Sequence, residues 1–340
     1  MNKFKKIGLT ALAGSLVTMG SATAGEMSVS GSIAVTLGYG NLSGNSSRAI
    51  GTDRDVSFTG GGELDNGTTF SMNTTLDDDY AVSGSTTTIN TPSFGSFYFG
   101  TGHGLQSGKY DEEVPQAYEQ ISDAKQTMAN LVGNYMDGNA ISYTSPTFDV
   151  MGASITVDAG YAPTAADSAE NDGSNDAFNA TYGEGSELGV RIAYDALQLG
   201  VYGSERKTSI PNTNTTTGQE IGDEFNGAWY VKYSMGPVSI GYSETYMDAG
   251  VTADDSSSVN SSIVERTGGG IFTGEQISIA FNVNDNMSIS YTTSDETYDT
   301  QDDAKTATTT DDDVTESVDA IQIAYSMGGM SVKAYNMEVT

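Results

Sequence analysis

The residues of this sequence best suited to chemistry are carboxylates gathered in one segment, residues 102–138. The segment contains the closely spaced acids Asp111, Glu112, Glu113, Glu119 and Asp123. Carboxylates at this density can attract cations or set the charge of a polar passage. The alternative is a solvated surface loop, which also carries runs of charge.

The same segment contains His103, the single histidine of a chain that has no cysteine. A hydrolase that uses histidine as its general base needs a nucleophile beside it, and Gly102-His-Gly104 lies near no nucleophile motif. One histidine without any cysteine is also too few ligands for a zinc site. We therefore expect neither enzymatic activity nor a cofactor.

Three shorter acidic runs lie in other polar stretches, at residues 77–79, 302–303 and 311–313. Clustered carboxylates could bind Ca²⁺ or Mg²⁺ loosely through their oxygens. None of the runs has the spacing of an EF-hand, with its glycine and terminal glutamate. Plain solvation of the acidic loops is the alternative to a loosely bound Ca²⁺.

The first 24 residues have the features of a secretory signal peptide. Lys3, Lys5 and Lys6 precede an apolar core at residues 7–19, and Ala22-Thr-Ala24 supplies a small-residue cleavage pattern. That core is shorter than the roughly 20 residues that a transmembrane helix requires. We predict a signal peptide at residues 1–24 and a mature chain at residues 25–340.

The composition of the mature chain excludes some partners. Removing the three signal lysines leaves 11 of 14 Lys+Arg against 45 Asp+Glu, a formal charge of −34. A charge of this sign argues against binding to nucleic acid, which needs basic patches. The hydrophobic fraction of 37% is low for a soluble domain of this length. A membrane barrel explains it, because only alternate residues of each strand need be apolar.

Strict alternation of apolar and polar residues begins at Met27. Val29, Ile33 and Val35 share one parity, and serines or threonines occupy the other. This pattern is typical of a strand with one apolar face, and it recurs along the chain. The turn sequence Asp65-Asn-Gly67 then predicts a tight hairpin, because Asn-Gly accepts the positive φ that such turns need.

Short turns alternate with long polar loops from one end of the chain to the other. The predicted turns are 65–67, 91–93, 145–147, 195–196, 235–237, 284–286 and 327–329, and the predicted loops are 41–54, 77–80, 102–138, 162–185, 207–224, 247–270 and 294–316. This rhythm is the signature of an outer-membrane barrel. A soluble β-sandwich is the alternative, but its apolar outward face would leave it prone to association.

Seven turns and seven loops imply 15 strands. Single-chain bacterial barrels have even strand numbers, and an unpaired strand edge in lipid is costly. We therefore predict an all-β fold, a 16-stranded antiparallel transmembrane β-barrel with 15 strands in this sequence. The sixteenth strand would follow Thr340.

Four short motifs, in this order and spacing, carry a resemblance to a known family: Val29-Ser-Gly-Ser-Ile-Ala34, Gly62-Glu-Leu-Asp-Asn-Gly67, Phe94-Gly-Ser-Phe-Tyr-Phe-Gly100 and Ile141-Ser-Tyr-Thr-Ser-Pro146. With the signal peptide, the mature chain resembles the Gram-negative general porins, particularly those of alpha-proteobacteria. The resemblance implies a homotrimer of 16-stranded barrels in the outer membrane, each a passive diffusion channel narrowed by an inward-folded third loop. The family's final strand with its terminal aromatic residue is missing here, as is a Pro-Glu-Phe-type tip on the third loop.

The third loop of this chain would be residues 102–138, which we call the insert. An apolar spacing of Tyr118, Ile121, Met128 and Leu131 predicts a short helix after Pro115 that packs on the barrel wall. The five acids of the insert would then line the pore constriction, where charged rings set selectivity.

Opposite charges would come from basic residues on the barrel wall: Arg54, Arg191, Lys232 and Lys333. Three of them lie between apolar neighbours and should point inward if those neighbours point outward, and Arg54 begins a predicted strand. Together with the acids of the insert, these bases would create an electric field across the pore. Alternatively, they are scattered lumenal charges at heights far from the constriction.

The functional prediction is a channel for small hydrophilic solutes and ions in the outer-membrane lipid, favouring cations because the chain is strongly acidic. The alternative is an outer-membrane barrel with an adhesive or structural role. The insert separates the two, since a structural barrel does not need a long loop directed inward.

Overall fold

The computed structural model describes residues 26–42, 45–78, 80–101, 106–111, 113–118, 120–121, 140–163, 165, 182–208, 223–248, 271–299 and 314–340. These residues form sixteen β-strands and a single 3-10 turn, Ser107–Lys109. No helix in this part of the chain is long and apolar enough to cross a membrane. The predicted signal peptide lies outside the described residues.

The strands follow one another with few interruptions. Their bounds are β1 Glu26–Leu42, β2 Asn45–Glu63, β3 Thr69–Leu76, β4 Val82–Thr91, β5 Gly95–Thr101, β6 Ala140–Thr144, β7 Phe148–Val150, β8 Ala153–Ala162, β9 Tyr182–Tyr194, β10 Leu197–Thr208, β11 Glu224–Met235, β12 Val238–Asp248, β13 Ile271–Asn284, β14 Met287–Asp299, β15 Val314–Met327 and β16 Met330–Val339.

All sixteen strands belong to one antiparallel sheet in which chain neighbours are also neighbours in space. β7 stands outside this order and pairs with β8 alone. The predicted all-β, antiparallel organisation is confirmed. No pairing joins β1 to β16 among the residues that the structure describes.

The predicted turn at residues 145–147 is wrong. β6 and β7 both pair with β8, so they are two parts of one interrupted strand, and the reversal comes at Met151 and Gly152 with φ values of 52° and 88°. Pro146 interrupts the ladder because it has no N–H to donate. The hydroxyl of Ser145 accepts from the backbone N–H of Val157 at 2.9 Å, which satisfies the donor facing the gap.

The predicted loop at residues 41–54 is largely strand. β1 and β2 pair continuously from Glu26 with Gly61 to Leu42 with Asn45. A loop was predicted because this stretch is polar. It forms a strand instead because β1 pairs with it along its whole length and satisfies its backbone hydrogen bonds. The other predicted loops agree with the strand bounds to within about five residues.

The sheet has two chemically different faces. We call the face that carries the insert the inner face and the opposite face the outer face. On β11, for example, Trp229 lies on the outer face and is exposed, whereas Tyr230 lies on the inner face and is buried. The same alternation along β9 to β15 leaves apolar side chains outside and mainly small or polar ones inside.

Candidate functional site

The insert crosses the inner face of the sheet from β6 to β16. Near its start, the Gln106 side-chain amide donates to the backbone carbonyl of Tyr143 on β6 at 3.3 Å. Near its other described end, the backbone N–H of Tyr118 donates to the Gln322 side chain on β15 at 3.0 Å. A short stretch of chain is therefore fixed to the inner face of many strands.

The strongest anchor of the insert is Asp158, a fully buried carboxylate on the inner face of β8. Its Oδ1 accepts from Lys109 Nζ at 3.0 Å and from Thr144 Oγ1 at 2.7 Å. Its Oδ2 accepts from the Tyr110 hydroxyl and from Arg191 Nε, both at 2.7 Å. A buried charge is tolerated only when it is paired and hydrogen-bonded in this way.

Tyr110 fills the inner wall beside Asp158. It is completely buried, and its ring stacks on that of Tyr202 with centroids 5.0 Å apart. A Cβ atom at Gly189 would lie 2.3 Å from the ring, so only glycine leaves room for Tyr110 there. Burial, together with the hydrogen bond to Asp158, raises the pKa of Tyr110 and keeps its hydroxyl a donor.

Lys109 is the basic residue that the insert contributes to this anchor. Burial lowers its pKa below the usual 10.5, and the coulombic attraction and hydrogen bond of Asp158 oppose that effect. Its ammonium also lies 5.5 Å from the ring centroid of Tyr98 on the inner face of β5. Asp158 therefore holds one cation from the insert and one, Arg191, from the wall.

A second ion pair joins the insert to β11. Lys232 on the inner face donates to Glu113 of the insert, and the two side chains are 20% and 31% exposed. The Lys232 ammonium also lies 4.8 Å from the ring centroid of Tyr230. One predicted wall base and one predicted insert acid are thus brought together directly.

The insert passes close to β12 and β13 at Pro115. A Cβ atom at Gly241 on β12 would lie 2.4 Å from Pro115 Cδ, so the absence of a side chain makes the approach possible. The hydroxyl of Ser278 on β13 donates to the Pro115 carbonyl. The backbone of the insert is therefore satisfied by the wall.

No helix forms in residues 113–118 and 120–121, although a helix was predicted after Pro115. The backbone N–H of Ala117 donates to Ser290 Oγ at 2.9 Å, and that of Tyr118 bonds to Gln322. Wall side chains replace the partners that a helix would supply, which explains the difference. The later part of the predicted helix, with Met128 and Leu131, lies outside the described residues.

Two members of the predicted apolar stripe do pack on the wall. The Tyr118 ring lies 5.7 Å from that of Tyr335 and 5.0 Å from Lys333 Nζ, both on β16. Ile121 is buried against Val318 and Ala320 of β15 and Met337 of β16. The apolar spacing was a sound signal of wall contact even though the backbone is not helical.

The structure describes two of the five predicted constriction acids. Glu113 is paired with Lys232, and Asp111 is buried with 8% of its surface exposed. Glu112, Glu119 and Asp123 lie outside the described residues. That the five acids together line the narrowest point stays a prediction.

The register places Arg54 on the outer face. It lies opposite Ile33 of β1, two residues before Val56, and its side chain pairs with Asp78 at 3.2 Å. This differs from the predicted lumenal position. Because β2 begins at Asn45, the alternation of the strand runs through Arg54 and assigns it the parity of the apolar residues.

Arg191, Lys232 and Lys333 lie on the inner face, but sequence reasoning missed the residue that Arg191 meets. Asp158 is the main omission. It occupies the polar parity of β8, as Arg191 does on β9, so parity alone could have assigned it to the inner face. Its contact with Lys109 required the path of the insert.

The inner face of β1 to β5 is different. It carries Asp53 and Asp55 on β2, and Asp55 accepts a hydrogen bond from Ser32 at 3.3 Å. Asp53 is exposed, and no ion pair joins it to another described residue. No lysine or arginine side chain that the structure describes on β1 to β5 lies on this inner face.

The acidic run at residues 77–79 has structural partners where it is described. Asp77 Oδ1 accepts from the backbone N–H of Ala81 at 3.0 Å, and Asp78 pairs with Arg54. Within the described ranges no group of three acidic, histidine or cysteine side chains could hold a metal ion. Asp79 and the runs at 302–303 and 311–313 lie outside those ranges, so loosely bound Ca²⁺ stays a prediction.

A sheet with an apolar outer face, a polar inner face and an inward-folded insert defines a membrane barrel with a constricted passage. The chain matches the family model of Gram-negative porins over residues 8–338. It belongs to this family.

Solved porin structures share the fold at low sequence identity. OmpF of Salmonella typhi, in complex with daunomycin, gives a TM-score of 0.63 at 14% identity over 92% of this chain and 89% of the other. A loop L8 deletion mutant of Vibrio cholerae OmpT gives 0.60 at 14% identity over 93% and 94%. A porin refined at 1.8 Å gives 0.60 at 11% identity over 92% and 94%. No curated protein matches the chain in sequence.

The family and the fold together make this chain an outer-membrane porin channel of a Gram-negative bacterium. The predicted all-β porin barrel is the fold of these neighbours. The family is one of channels rather than enzymes.

Proposed function

We propose that the channel passes small hydrophilic solutes and ions by passive diffusion and favours cations. Charged groups that line the passage set such a preference. The charges that count are those left uncompensated by a neighbour of opposite sign.

The observation that carries the proposal is the imbalance of charge on the inner face. The described basic residues of the inner face and the insert all have partners within the protein. Lys109 and Arg191 share Asp158, Lys232 has Glu113, Arg206 has Glu224, and Lys333 lies over the Tyr118 ring. Asp53 and Asp55 face the same interior without a basic partner on β1 to β5. The described carboxylates of the inner face and the insert, which also include Asp111, Glu187 and Glu296, outnumber these five basic side chains, and this excess supports a negative field in the passage.

The alternative, an adhesive or structural barrel, is less consistent with the insert. Its anchors span the inner face from Tyr143 on β6 to Tyr335 on β16. Holding the insert against the inner face costs conformational entropy. A loop held there narrows a passage, whereas an adhesive function needs only the external surface of a barrel.

We also propose that the protein is a homotrimer. Vibrio cholerae OmpT, whose fold this chain shares with a TM-score of 0.59 at 14% identity, has been solved in a trimer form. Chemical cross-linking in native outer membranes, followed by denaturing electrophoresis, checks the assembly. A ladder that stops at the dimer or monomer contradicts it.

The selectivity proposal is tested by neutralising Asp53 and Asp55 together as Asn in the full chain reconstituted in planar bilayers. The reversal potential in a KCl gradient should shift toward the non-selective value. These side chains are solvated, so the loss should be largest at low salt, where screening is weak.

A matched variant neutralises Glu112, Glu113, Glu119 and Asp123, four of the five insert acids predicted from the sequence to line the constriction. If only this second variant shifts the reversal potential, the insert controls selectivity and the β2 acids do not. An anion preference in the unmodified channel contradicts the proposal altogether.

A further inference from the structure

The charges of the inner wall change in number and sign along the axis of the barrel. The short turns all lie at one end of the barrel, because successive strands alternate in direction. Each residue between a side chain and its short turn adds about 2.5 Å along the axis, at about 3.3 Å per residue and a tilt of about 40°. Residue counts along the strands therefore give the height of each charge in the passage.

Three basic residues share one level near the short turns. Arg191 and Lys232 lie three residues before the last residues of β9 and β11, and Lys333 lies three residues after the first residue of β16. Gly200 of β10 pairs with Arg191 on one side and with Tyr230 on the other. Tyr230 is two residues from Lys232, the stagger over two strands that a tilted sheet requires. The three bases are therefore about 8 Å above the short turns.

The insert crosses the passage at a similar height. Its wall contacts at Asp158, Gly241, Ser278, Ser290 and Gln322 lie three to six residues from the short turns, about 8–15 Å above them. We call the part of the wall up to this height the short-turn half and the part beyond it the long-loop half.

The short-turn half of the described wall is balanced in charge. Its three bases, Arg191, Lys232 and Lys333, face three inner-face carboxylates, Glu63, Asp149 and Asp158. The described insert adds one base and two carboxylates at this level, Lys109 with Asp111 and Glu113. The described charges of this half therefore nearly cancel.

The long-loop half of the described wall is strongly acidic. It carries six inner-face carboxylates that lie seven to eleven residues from the short turns, Asp53, Asp55, Glu187, Glu224, Glu296 and Glu316. Arg206 is the one base described at this height, and it forms an ion pair with Glu224. The negative charge of the described wall is therefore concentrated toward the long loops.

A pore with this distribution conducts differently in the two directions. The acidic half attracts cations and repels anions, whereas the balanced half admits both. When the long-loop side is positive, cations pass from the acidic half into the balanced half, and anions enter from the short-turn side but cannot leave through the acidic half. Both ions then accumulate in the balanced half and the conductance rises. The opposite voltage depletes that half of ions.

We infer that the channel rectifies, with a larger current when cations move from the long-loop end to the short-turn end. The inference rests on the proposed passage of ions and adds a direction to it. In water a single unbalanced charge at about 10 Å changes the local ion concentration about twofold. We therefore expect a ratio of about 1.5–2 between the currents at equal and opposite voltages in about 0.1 M KCl. The ratio should fall to about 1 in about 1 M KCl, where the Debye length is about 3 Å.

Single channels of the full protein in planar bilayers give this ratio once their orientation is known. The chain has no cysteine, so Ser93→Cys in the exposed turn between β4 and β5 provides a single thiol at the short-turn end. The thiol is coupled to biotin. Streptavidin added to one chamber should alter the current only when the short turns face that chamber.

The test and control variants remove the same chemical group at two heights on β2. Asp55→Asn weakens the acidic half and should lower the current ratio. Glu63→Gln removes a carboxylate from the balanced half and should raise the ratio. Lys333→Gln removes a base from the balanced half and should lower it.

The outcomes separate this inference from the proposed function. Channels with a current ratio of about 1 in about 0.1 M KCl overturn the inference and leave the proposed passage of ions intact. A larger current in the opposite direction also overturns it, as does a shift of the ratio in the same direction by Asp55→Asn and Glu63→Gln. An absence of channels contradicts the proposed function itself, and the inference with it.

Discussion

The polar side chains of the inner face find their hydrogen-bond partners in different ways in its two parts. On β1 to β3, hydroxyl and amide side chains bond to their cross-strand neighbours, as Ser57 does with Thr75 and Thr59 with Asn73, both at 2.9 Å. On β6 to β16, polar side chains bond to the insert instead, as Ser290 does with Ala117. The strands of the first part satisfy the hydrogen bonds of their own side chains, whereas those of the second part need the insert as a partner.

This difference also divides the charges. Under the insert, Asp158 and Lys232 are neutralised by direct partners and are withdrawn from the passage. On β2, Asp53 and Asp55 have no basic partner on their own part of the wall. Under the proposed function, the covered part of the wall serves stability and the uncovered part serves selectivity. Four predictions test this division.

The largest expected effect comes from removing Asp158. Asp158→Ala leaves Lys109 and Arg191 without their shared carboxylate, and breaking a buried pair costs about 3–5 kcal/mol. The side chains of Lys109 and Arg191 are 28% and 32% exposed, so water can partly solvate them when Asp158 is removed. We therefore expect the free energy of unfolding to fall by about 3 kcal/mol, the lower end of this range. Urea unfolding of the detergent-solubilised protein measures the loss.

The matched change on the uncovered part is Asp55→Ala. It removes one hydrogen bond, from Ser32, and should cost about 1 kcal/mol. If both substitutions reduce the free energy of unfolding equally, the covered and uncovered parts do not differ in stability as described.

The second effect concerns the glycine that admits the insert. In Gly241→Val the new side chain collides with Pro115 and should cost about 1–3 kcal/mol through overpacking. The insert should move away from β12, and single-channel conductance should rise. The control is Gly38→Val on the inner face of β1, where an added Cβ meets nothing within 4 Å. A conductance change in Gly38→Val as large as that in Gly241→Val would show that the added bulk alone is responsible.

The third effect is at the end of the described insert. Tyr118→Ala removes the ring contact with Tyr335 and the approach of Lys333. An aromatic pair contributes about 0.5–1.5 kcal/mol and an exposed cation–π contact about 0.5–1 kcal/mol. We expect noisier current traces, since the insert is held less firmly on β16. Tyr118→Phe should behave like the unmodified channel. A quiet trace from Tyr118→Ala would mean that the other anchors suffice.

The smallest effect is at the partly exposed ion pair. Lys232→Gln and Glu113→Gln, alone and combined, form a double-mutant cycle. Because both side chains keep some exposure, we expect a coupling free energy of at most about 1 kcal/mol. A coupling near that of the Asp158 contacts would make this pair a second main anchor of the insert.

Much of the fold followed from local signals. Alternation placed the strands, the Asn-Gly turn after Asp65 marked a hairpin, and the position of the insert between β5 and β6 was correct. The misplaced turn at residues 145–147 shows the limit. Pro146 signals an interruption of the ladder, and only the pairing of both β6 and β7 with β8 shows that the chain does not reverse there.

The sequence by itself determined which residues share a face, because side chains alternate along any strand. It therefore placed Arg191, Lys232 and Lys333 on the inner face. When β2 is taken to begin at Asn45, the same alternation also places Arg54 on the outer face, in agreement with the structure. Only the tertiary structure decided which inner-face residues meet. The stagger of the strands and the path of the insert bring Lys109 to Asp158, a partner 49 residues away, and alternation carries no information about that stagger.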